Sequence, residues 1–130
     1  MHLNFLKSFI VDDKRKETNF EQKILDGIKL HTIRADVTNR WHPDMKIHFA
    51  TGSRTNNYNC FKEGKCYATQ NITIQGRCIY IDGRSKPLTD SKVEWLAIND
   101  GFDTVQDFWA WFDQYAPFTV KIIHWSEISY

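Results

Sequence analysis

The feature that most constrains this chain is a change of hydrophobic period at Gly27. Between Asn19 and Asp26 the apolar residues recur at a spacing that places them on one face of a helix. After Gly27, apolar and polar residues alternate through Arg34, which is typical of a strand. Glycine readily adopts the left-handed conformation that ends helices. The sequence therefore predicts a helix capped near Thr18 or Asn19, a stop at Gly27, and a strand from residue 29 to residue 34.

Three polar side chains, Lys29, Thr32 and Arg34, lie on this predicted strand. Simple alternation separates Lys29 from Thr32, but strand twist, or a strand that starts after Lys29, brings them together. A Lys beside a Thr hydroxyl and an Arg can form a site for an anion or a polar ligand. The alternative is that Lys29 is solvated, that Thr32 is present for its β propensity, and that Arg34 pairs with a nearby aspartate.

Periodicity and turn residues predict a mixture of strands and helices along the rest of the chain. The predicted strands are Leu3–Val11, residues 29–34, Met45–Ala50, Cys66–Ile74, Arg77–Ile81 and Phe118–Trp125. Two further helices are predicted from Thr89 or Asp90 and from Asp103 or Thr104, the second ending at Tyr115–Pro117. Residues 12–17 read as a charged turn, and residues 51–64 as a long loop or a hairpin. The expected fold is one α+β domain over residues 1–130, a mixed barrel.

Composition excludes several classes of protein. No apolar run approaches the ~20 residues of a membrane span, and no signal peptide is visible, so we expect a cytoplasmic protein without a membrane partner. Cys60, Cys66 and Cys78 are odd in number and lack a CxxC pair, which excludes a complete disulfide framework. A zinc site would have to recruit His42 or His48. We therefore expect free thiols, no metal and no cofactor.

The net charge of +1 does not predict nucleic-acid binding, but the charges are unevenly distributed. Residues 29–92 hold eleven basic and five acidic side chains, whereas residues 93–130 hold one basic and six acidic. If the basic residues share a face, that face attracts phosphate; otherwise they are spread around the domain. Trp41, in a predicted loop near the basic strand, either stacks on a base or caps the core.

The spacing Gly27-x-Lys29-x-x-Thr32-x-Arg34, within ILDGIKLHTIRAD, resembles the signature of the ASCH family, a branch of the PUA-like β-barrels. Two later blocks extend the likeness: a strand within residues 44–52, and an acidic residue before Gly-Phe and an aromatic helix within residues 99–112. The resemblance covers roughly residues 18–52 and 93–128. It implies a PUA-like mixed barrel with a helix after the first strand and two helices before the last.

ASCH and PUA-like domains are associated with RNA binding or modification, and one ASCH group resembles small amidohydrolases that act on N4-acetylcytidine. Carried over residue by residue, the resemblance implies catalytic roles for Lys29 and Thr32. The third catalytic residue falls at Asp100, where that group has Glu, with Glu94 and Asp103 as alternatives because helix register is uncertain from sequence. A shorter carboxylate reaches less far toward the proton that it must transfer.

The implied chemistry is an attack by the Thr32 hydroxyl, activated by the Lys29 amine, with Asp100 passing a proton to the leaving amine. Arg34 would hold the acyl oxygen or a neighbouring carboxylate, and Gly27 and Trp41 complete the expected substrate-binding residues. The expected partner is a small nucleoside or RNA. The alternative function is a non-catalytic RNA- or nucleotide-binding module.

Overall fold

The computed structural model of the protein describes residues 1–113 and 119–130, and over these residues it is an α+β domain. The strands are β1 (His2–Asn4), β2 (Ser8–Val11), β3 (Lys14–Glu17), β4 (His31–Arg34), β5 (Lys46–Thr51), β6 (Asn59–Lys65), β7 (Ala68–Gln75), β8 (Cys78–Ile81) and β9 (Thr119–His124). The helices are α1 (Phe20–Leu25), α2 (Asp90–Asn99) and α3 (Val105–Phe112). The predicted helix end at Tyr115–Pro117, and Phe118 at the start of the predicted last strand, lie outside the described residues.

The strands form three sheets. The largest is antiparallel, with the order β4-β9-β7-β8. A second sheet has the order β1-β5-β6, in which β1 runs parallel to β5, and β2 with β3 forms a separate hairpin. The predicted α+β class is confirmed, and α2 and α3 precede the last strand as expected. The strands of residues 1–113 and 119–130 do not close into the predicted single barrel.

The predicted first strand, Leu3–Val11, is two strands. Phe5 continues the pairing of β1, because its N–H donates to the Ala50 carbonyl at 2.9 Å. Strand β2 instead pairs with β3, which the sequence assigned to a turn. The turn itself is only Asp12 and Asp13, both with positive φ, as a tight two-residue hairpin requires. Helix α1 therefore follows three strands rather than one.

Residues 51–64 contain strand β6, so the hairpin alternative is right and the long loop is wrong. Most residues of β6 are exposed, and the strand lies at the edge of its sheet. An edge strand with little buried surface carries no strong hydrophobic alternation. This explains why the sequence alone did not decide between a loop and a hairpin here.

The predicted helices are confirmed. Gly27, with a φ of 72°, follows the end of α1. Thr89 and Thr104 are the N-caps of α2 and α3, and each accepts a main-chain hydrogen bond with its side chain. Trp111 of α3 is half-buried and packs against other aromatic rings.

Aromatic and β-branched side chains fill the core between the sheets and helices. The fully buried large side chains include Phe5, Phe49, Phe108, Ile47 and Ile122. The three cysteines are free; Cys66 is buried, and the other two are exposed. No helix in the described part of the chain is long and apolar enough to cross a membrane.

Candidate active site

A cavity of about 290 Å³ lies between β4 and the segment that joins α2 to α3. Lys29, Thr32, Arg34 and Asp100 supply its charged and hydroxyl side chains. Its aromatic wall consists of Phe5, Phe20, Phe102, Trp111 and Phe112. The volume is close to the lower end of the range for small-molecule sites, about 300 Å³. The cavity is therefore sized for a compact ligand.

The cavity is built by hydrogen bonds between the end of α2 and the chain around the start of β4. Leu30 N–H donates to the Asn99 carbonyl at 2.8 Å, and the Lys29 ammonium donates to the Asp100 carbonyl. Lys23 Nζ donates to the Gly101 carbonyl at 2.6 Å. The last carbonyls of a helix lack partners within the helix, and positive charge is favourable there. These bonds bring together segments that are 71 residues apart in sequence.

Lys29 is only 1% exposed, so the interpretation of this residue as a solvated charge is wrong. Burial lowers the pKa of its ammonium to about 8; Asp100 opposes that shift, and Arg34 adds to it. The ammonium lies 4.4 Å from the centroid of the Phe20 ring. With a pKa of about 8, about one Lys29 in ten is neutral at pH 7, against about one in several thousand for an ordinary lysine.

Asp100 is the C-cap of α2, and its side chain is 4% exposed. Its Oδ1 lies 3.4 Å from Lys29 Nζ and 3.1 Å from His31 Nδ1. Gly101 follows with a φ of 97°, and a Cβ at this position would lie 2.8 Å from Lys29 Cδ. The turn after Asp100 thus requires glycine for two reasons, the backbone conformation and the space that the lysine stem occupies.

Thr32 and Arg34 come from strand β4 itself. Thr32 is 5% exposed, and none of the hydrogen bonds between described residues uses its hydroxyl. Arg34 Nη2 donates to the Asn4 carbonyl at 2.7 Å, and its guanidinium carbon lies 5.3 Å from the centroid of the Phe5 ring. Lys29 precedes β4, so strict strand alternation does not separate it from Thr32.

The structure brings together four of the six predicted site residues: Lys29, Thr32, Arg34 and Asp100. Gly27 is not among the described residues that line the cavity. Its contribution is indirect, because it ends α1 two residues before Lys29. Trp41 is 7% exposed and belongs to the hydrophobic core, which is the packing alternative for this residue.

The alternative acids do not reach the cavity. Glu94 is exposed on α2. Asp103 forms ion pairs with Lys16 and Lys23, at 3.2 Å and 2.7 Å. Of the three acidic positions considered, only Asp100 lines the cavity with Lys29 and Thr32.

Sequence reasoning missed a polar network buried behind Asp100. His31 is fully buried, and its Nε2 lies 2.6 Å from the Tyr130 hydroxyl. Asn99 Nδ2 donates to the same hydroxyl at 3.0 Å. A histidine inside a strand beside Lys29 was visible in the sequence, but its partner is 99 residues away. Nothing local indicates such a contact.

The chain matches no protein-family model, and neither the curated proteins nor the solved structures contain a significant match to it. The geometry of the cavity and the motif at residues 27–34 are therefore the features that indicate a function.

Proposed function

We propose that this protein is an amidohydrolase that cleaves the acyl amide of a small nucleoside such as N4-acetylcytidine. The observation that carries the proposal is the meeting of Lys29, Thr32 and Asp100 in one small cavity. The proposal includes membership of the ASCH family and its PUA-like fold, which the motif at residues 27–34 suggests. Two helices before the last strand are compatible with that fold.

Lys29 has the properties that the reaction requires of a base. A threonine hydroxyl is a weak nucleophile and needs an adjacent base. An effective base has a pKa near the working pH, and burial lowers the pKa of Lys29 to about 8. The cavity also excludes much of the water that would otherwise stabilise the ammonium.

The proposed reaction transfers the acyl group twice, first to the Thr32 oxygen and then to water. The Thr32 oxygen bonds to the acyl carbon while its proton passes to the neutral Lys29 amine. The resulting ammonium passes a proton, through the Asp100 carboxylate, to the amine that leaves as the C–N bond breaks. Water then attacks the Thr32 ester, Lys29 takes its proton, and that proton returns to the Thr32 oxygen as the carboxylic acid departs.

The rest of the cavity fits a planar acylated base. Phe5, Phe20, Phe102 and Trp111 provide flat apolar surfaces, on which a heterocycle can stack. Arg34 provides hydrogen-bond donors for an oxygen that gains negative charge in the transition state. An acyl group beside Lys29 and Thr32, with its ring against the aromatic side chains, would use both kinds of lining residue.

The direct test is to follow release of cytidine from N4-acetylcytidine by the purified protein. Lys29→Ala and Thr32→Val should lower kcat by about 100-fold or more, since each removes a group that takes part in proton transfer or bond formation. Thr32→Ser keeps a hydroxyl and should retain measurable turnover. Lys86→Ala, which removes an exposed lysine outside the cavity, is the matched control and should leave the rate unchanged.

Asp100→Glu tests the one departure from the motif. The longer carboxylate reaches further, so this variant should equal or exceed the wild-type rate, while Asp100→Asn should be nearly inactive. Turnover that persists unchanged in Lys29→Ala would refute Lys29 as the base, and no turnover by the wild-type protein would refute the hydrolase.

The aromatic wall also favours a second candidate, a nucleoside-binding pocket without catalysis. In that case N4-acetylcytidine or cytidine binds the wild-type protein and leaves unchanged. Calorimetric titration of the Thr32→Val variant separates the two functions. A hydrolase variant still binds the acetylated nucleoside but does not turn it over, whereas a simple binder shows no turnover in any form.

A further inference from the structure

We propose that His31 is a positioning residue that commits one oxygen of Asp100, Oδ1, to the protein and leaves the other, Oδ2, to exchange protons with the substrate. The part of this inference that concerns the reaction rests on the proposed hydrolase function. The part that concerns His31 and Asp100 rests on geometry alone.

The two oxygens of Asp100 have different surroundings. Oδ1 lies within reach of two donors, His31 Nδ1 at 3.1 Å and Lys29 Nζ at 3.4 Å. No hydrogen bond between the described residues uses Oδ2. Asp100 lines the cavity, while His31 is fully buried behind it. Oδ2, which has no donor among the described residues, is therefore the oxygen available to a ligand.

The hydrogen-bond pattern fixes the tautomer of His31. A carboxylate only accepts, so Nδ1 must carry the proton that it shares with Asp100. In a neutral imidazole Nε2 is then an acceptor, and the Tyr130 hydroxyl, 2.6 Å away, donates to it. Asn99 Nδ2 donates to that hydroxyl in turn. In this arrangement each of the three contacts, Asn99 to Tyr130, Tyr130 to His31 and His31 to Asp100 Oδ1, has one donor and one acceptor.

Burial, more than the surrounding charges, keeps His31 neutral. Burial is the main cause that lowers the pKa of His31, and the nearby Lys29 charge lowers it further against the opposing effect of Asp100. The His124 ring on β9, 5.2 Å away, is also buried, and its pKa is lowered to about 4, again mainly by burial. Tyr130 has a raised pKa because it is buried. His31 is thus a neutral donor that holds the Asp100 carboxylate and takes no part in the proton transfer itself.

Two substitutions separate positioning from packing. In His31→Asn, the amide nitrogen lies as many bonds from Cα as Nδ1 does, so a donor to Oδ1 is kept. His31→Leu removes that donor and keeps an apolar side chain in its place. We expect His31→Leu to lower kcat by about 100-fold with little change in KM, since a misplaced catalytic group costs about that factor. His31→Asn should recover most of this loss, and equal losses in the two variants would overturn the inference.

A measurement without substrate tests the geometry by itself. Nitrogen NMR of protein labelled in its histidine side chains should show His31 with a protonated Nδ1 and a bare Nε2 from about pH 6 to pH 8, the range around an ordinary histidine pKa. The signal that disappears in His31→Asn assigns the residue. A protonated Nε2 or an imidazolium in this range would overturn the inference. If the wild-type protein does not cleave N4-acetylcytidine, the proposed function fails, and the tautomer still decides the positioning role.

Discussion

At the scale of single residues, the site depends on an unusually close approach between Gly101 and the stem of Lys29. A Cβ on residue 101 would lie 2.8 Å from Lys29 Cδ and 3.0 Å from the Phe20 ring. Because Lys29 is buried, its stem cannot move aside without displacing the ammonium from the Asp100 carbonyl. The glycine thus couples the backbone turn to the position of the proposed base.

Gly101→Ala should therefore lower both stability and activity. We expect a loss of about 2–4 kcal/mol in the free energy of unfolding, from a positive φ and a steric clash together. Gly76→Ala is the matched control, because Gly76 also has a positive φ but has open space around a Cβ, and it should cost only about 1 kcal/mol. Urea denaturation of both variants gives the comparison, and equal losses would show that the Lys29 contact does not matter.

The pKa of Lys29 predicts how the reaction depends on pH. If the neutral amine is the base, kcat/KM should rise about tenfold per pH unit below about 8 and level off above it, since kcat/KM reports the pKa values of the free enzyme. The sign follows because burial disfavours the charged form and so makes the base available at lower pH. Initial rates on N4-acetylcytidine between pH 6 and about 9.5 give the profile. A rate that falls through this range would exclude a lysine base.

The positions of several candidate site residues could be predicted from their spacing in the sequence. Their burial and their contacts with distant residues could not. Gly27, Lys29 and Thr32 lie within six residues, so the motif is readable in the sequence. The burial of Lys29 depends on a contact with Asp100 across 71 residues, and no local pattern indicates it. Trp41 was ambiguous for the same reason, since loop position alone does not distinguish a ligand contact from core packing.

At the scale of elements, the pairing of β4 with β9 places two histidines side by side in the core. His31 is directly opposite His124 in the antiparallel register, so both side chains lie on the same face. His124 Nε2 lies 2.9 Å from Gln70 Oε1 on β7, and the buried Nδ1 has no partner among the residues that the structure describes. A buried imidazole in this position resists protonation.

Acid should therefore destabilise the fold through His124. Its pKa of about 4 when folded lies below the ordinary value of 6.5, so the unfolded chain binds the proton more tightly. Stability from this group is complete above the unfolded pKa and is lost as the pH falls toward 4, by about 2–3 kcal/mol at pH 4.5.

His124→Gln keeps a donor toward Gln70 and removes the titration. Urea denaturation at neutral pH and at about pH 4.5 should show a smaller acid loss in this variant than in the wild type. Parallel losses in the two proteins would mean that the aspartates with lowered pKa, such as Asp36 and Asp103, account for the acid sensitivity instead.

The elements that the sequence failed to predict share a physical cause. All four residues of strand β3 are charged, and β6 is exposed along most of its length. Each is held by main-chain pairing with one neighbour rather than by a buried side-chain face. Elements with a buried face, such as β7 and the capped helices, were found because burial produces the periodicity that sequence reasoning detects.

At the scale of the whole molecule, ion pairs between distant segments balance part of the uneven charge distribution. The acidic segment after residue 93 supplies partners for basic residues from elsewhere in the chain. Lys16 pairs with Asp107, and Arg77 forms a two-bond ion pair with Asp113 at 2.7 and 2.9 Å. Lys121 of β9, the basic residue of the acidic segment, lies 3.0 Å from Asp36 in the basic segment. Paired charges of this kind present little net field to a polyanion.

This pairing predicts weak dependence of RNA binding on salt. A protein that neutralises many phosphates loses affinity steeply as salt rises, by about 0.7 in slope for each phosphate contacted on a single strand. We expect a slope shallower than about −1.5 for a single-stranded oligonucleotide, measured by fluorescence anisotropy from about 50 to 200 mM salt. Replacing Lys62 and Lys65, which are exposed on the edge strand β6, tests whether this surface contributes to RNA binding. A steep slope that Lys62→Gln with Lys65→Gln reduces would establish a basic RNA-binding face and favour the binding module over a hydrolase of free nucleosides.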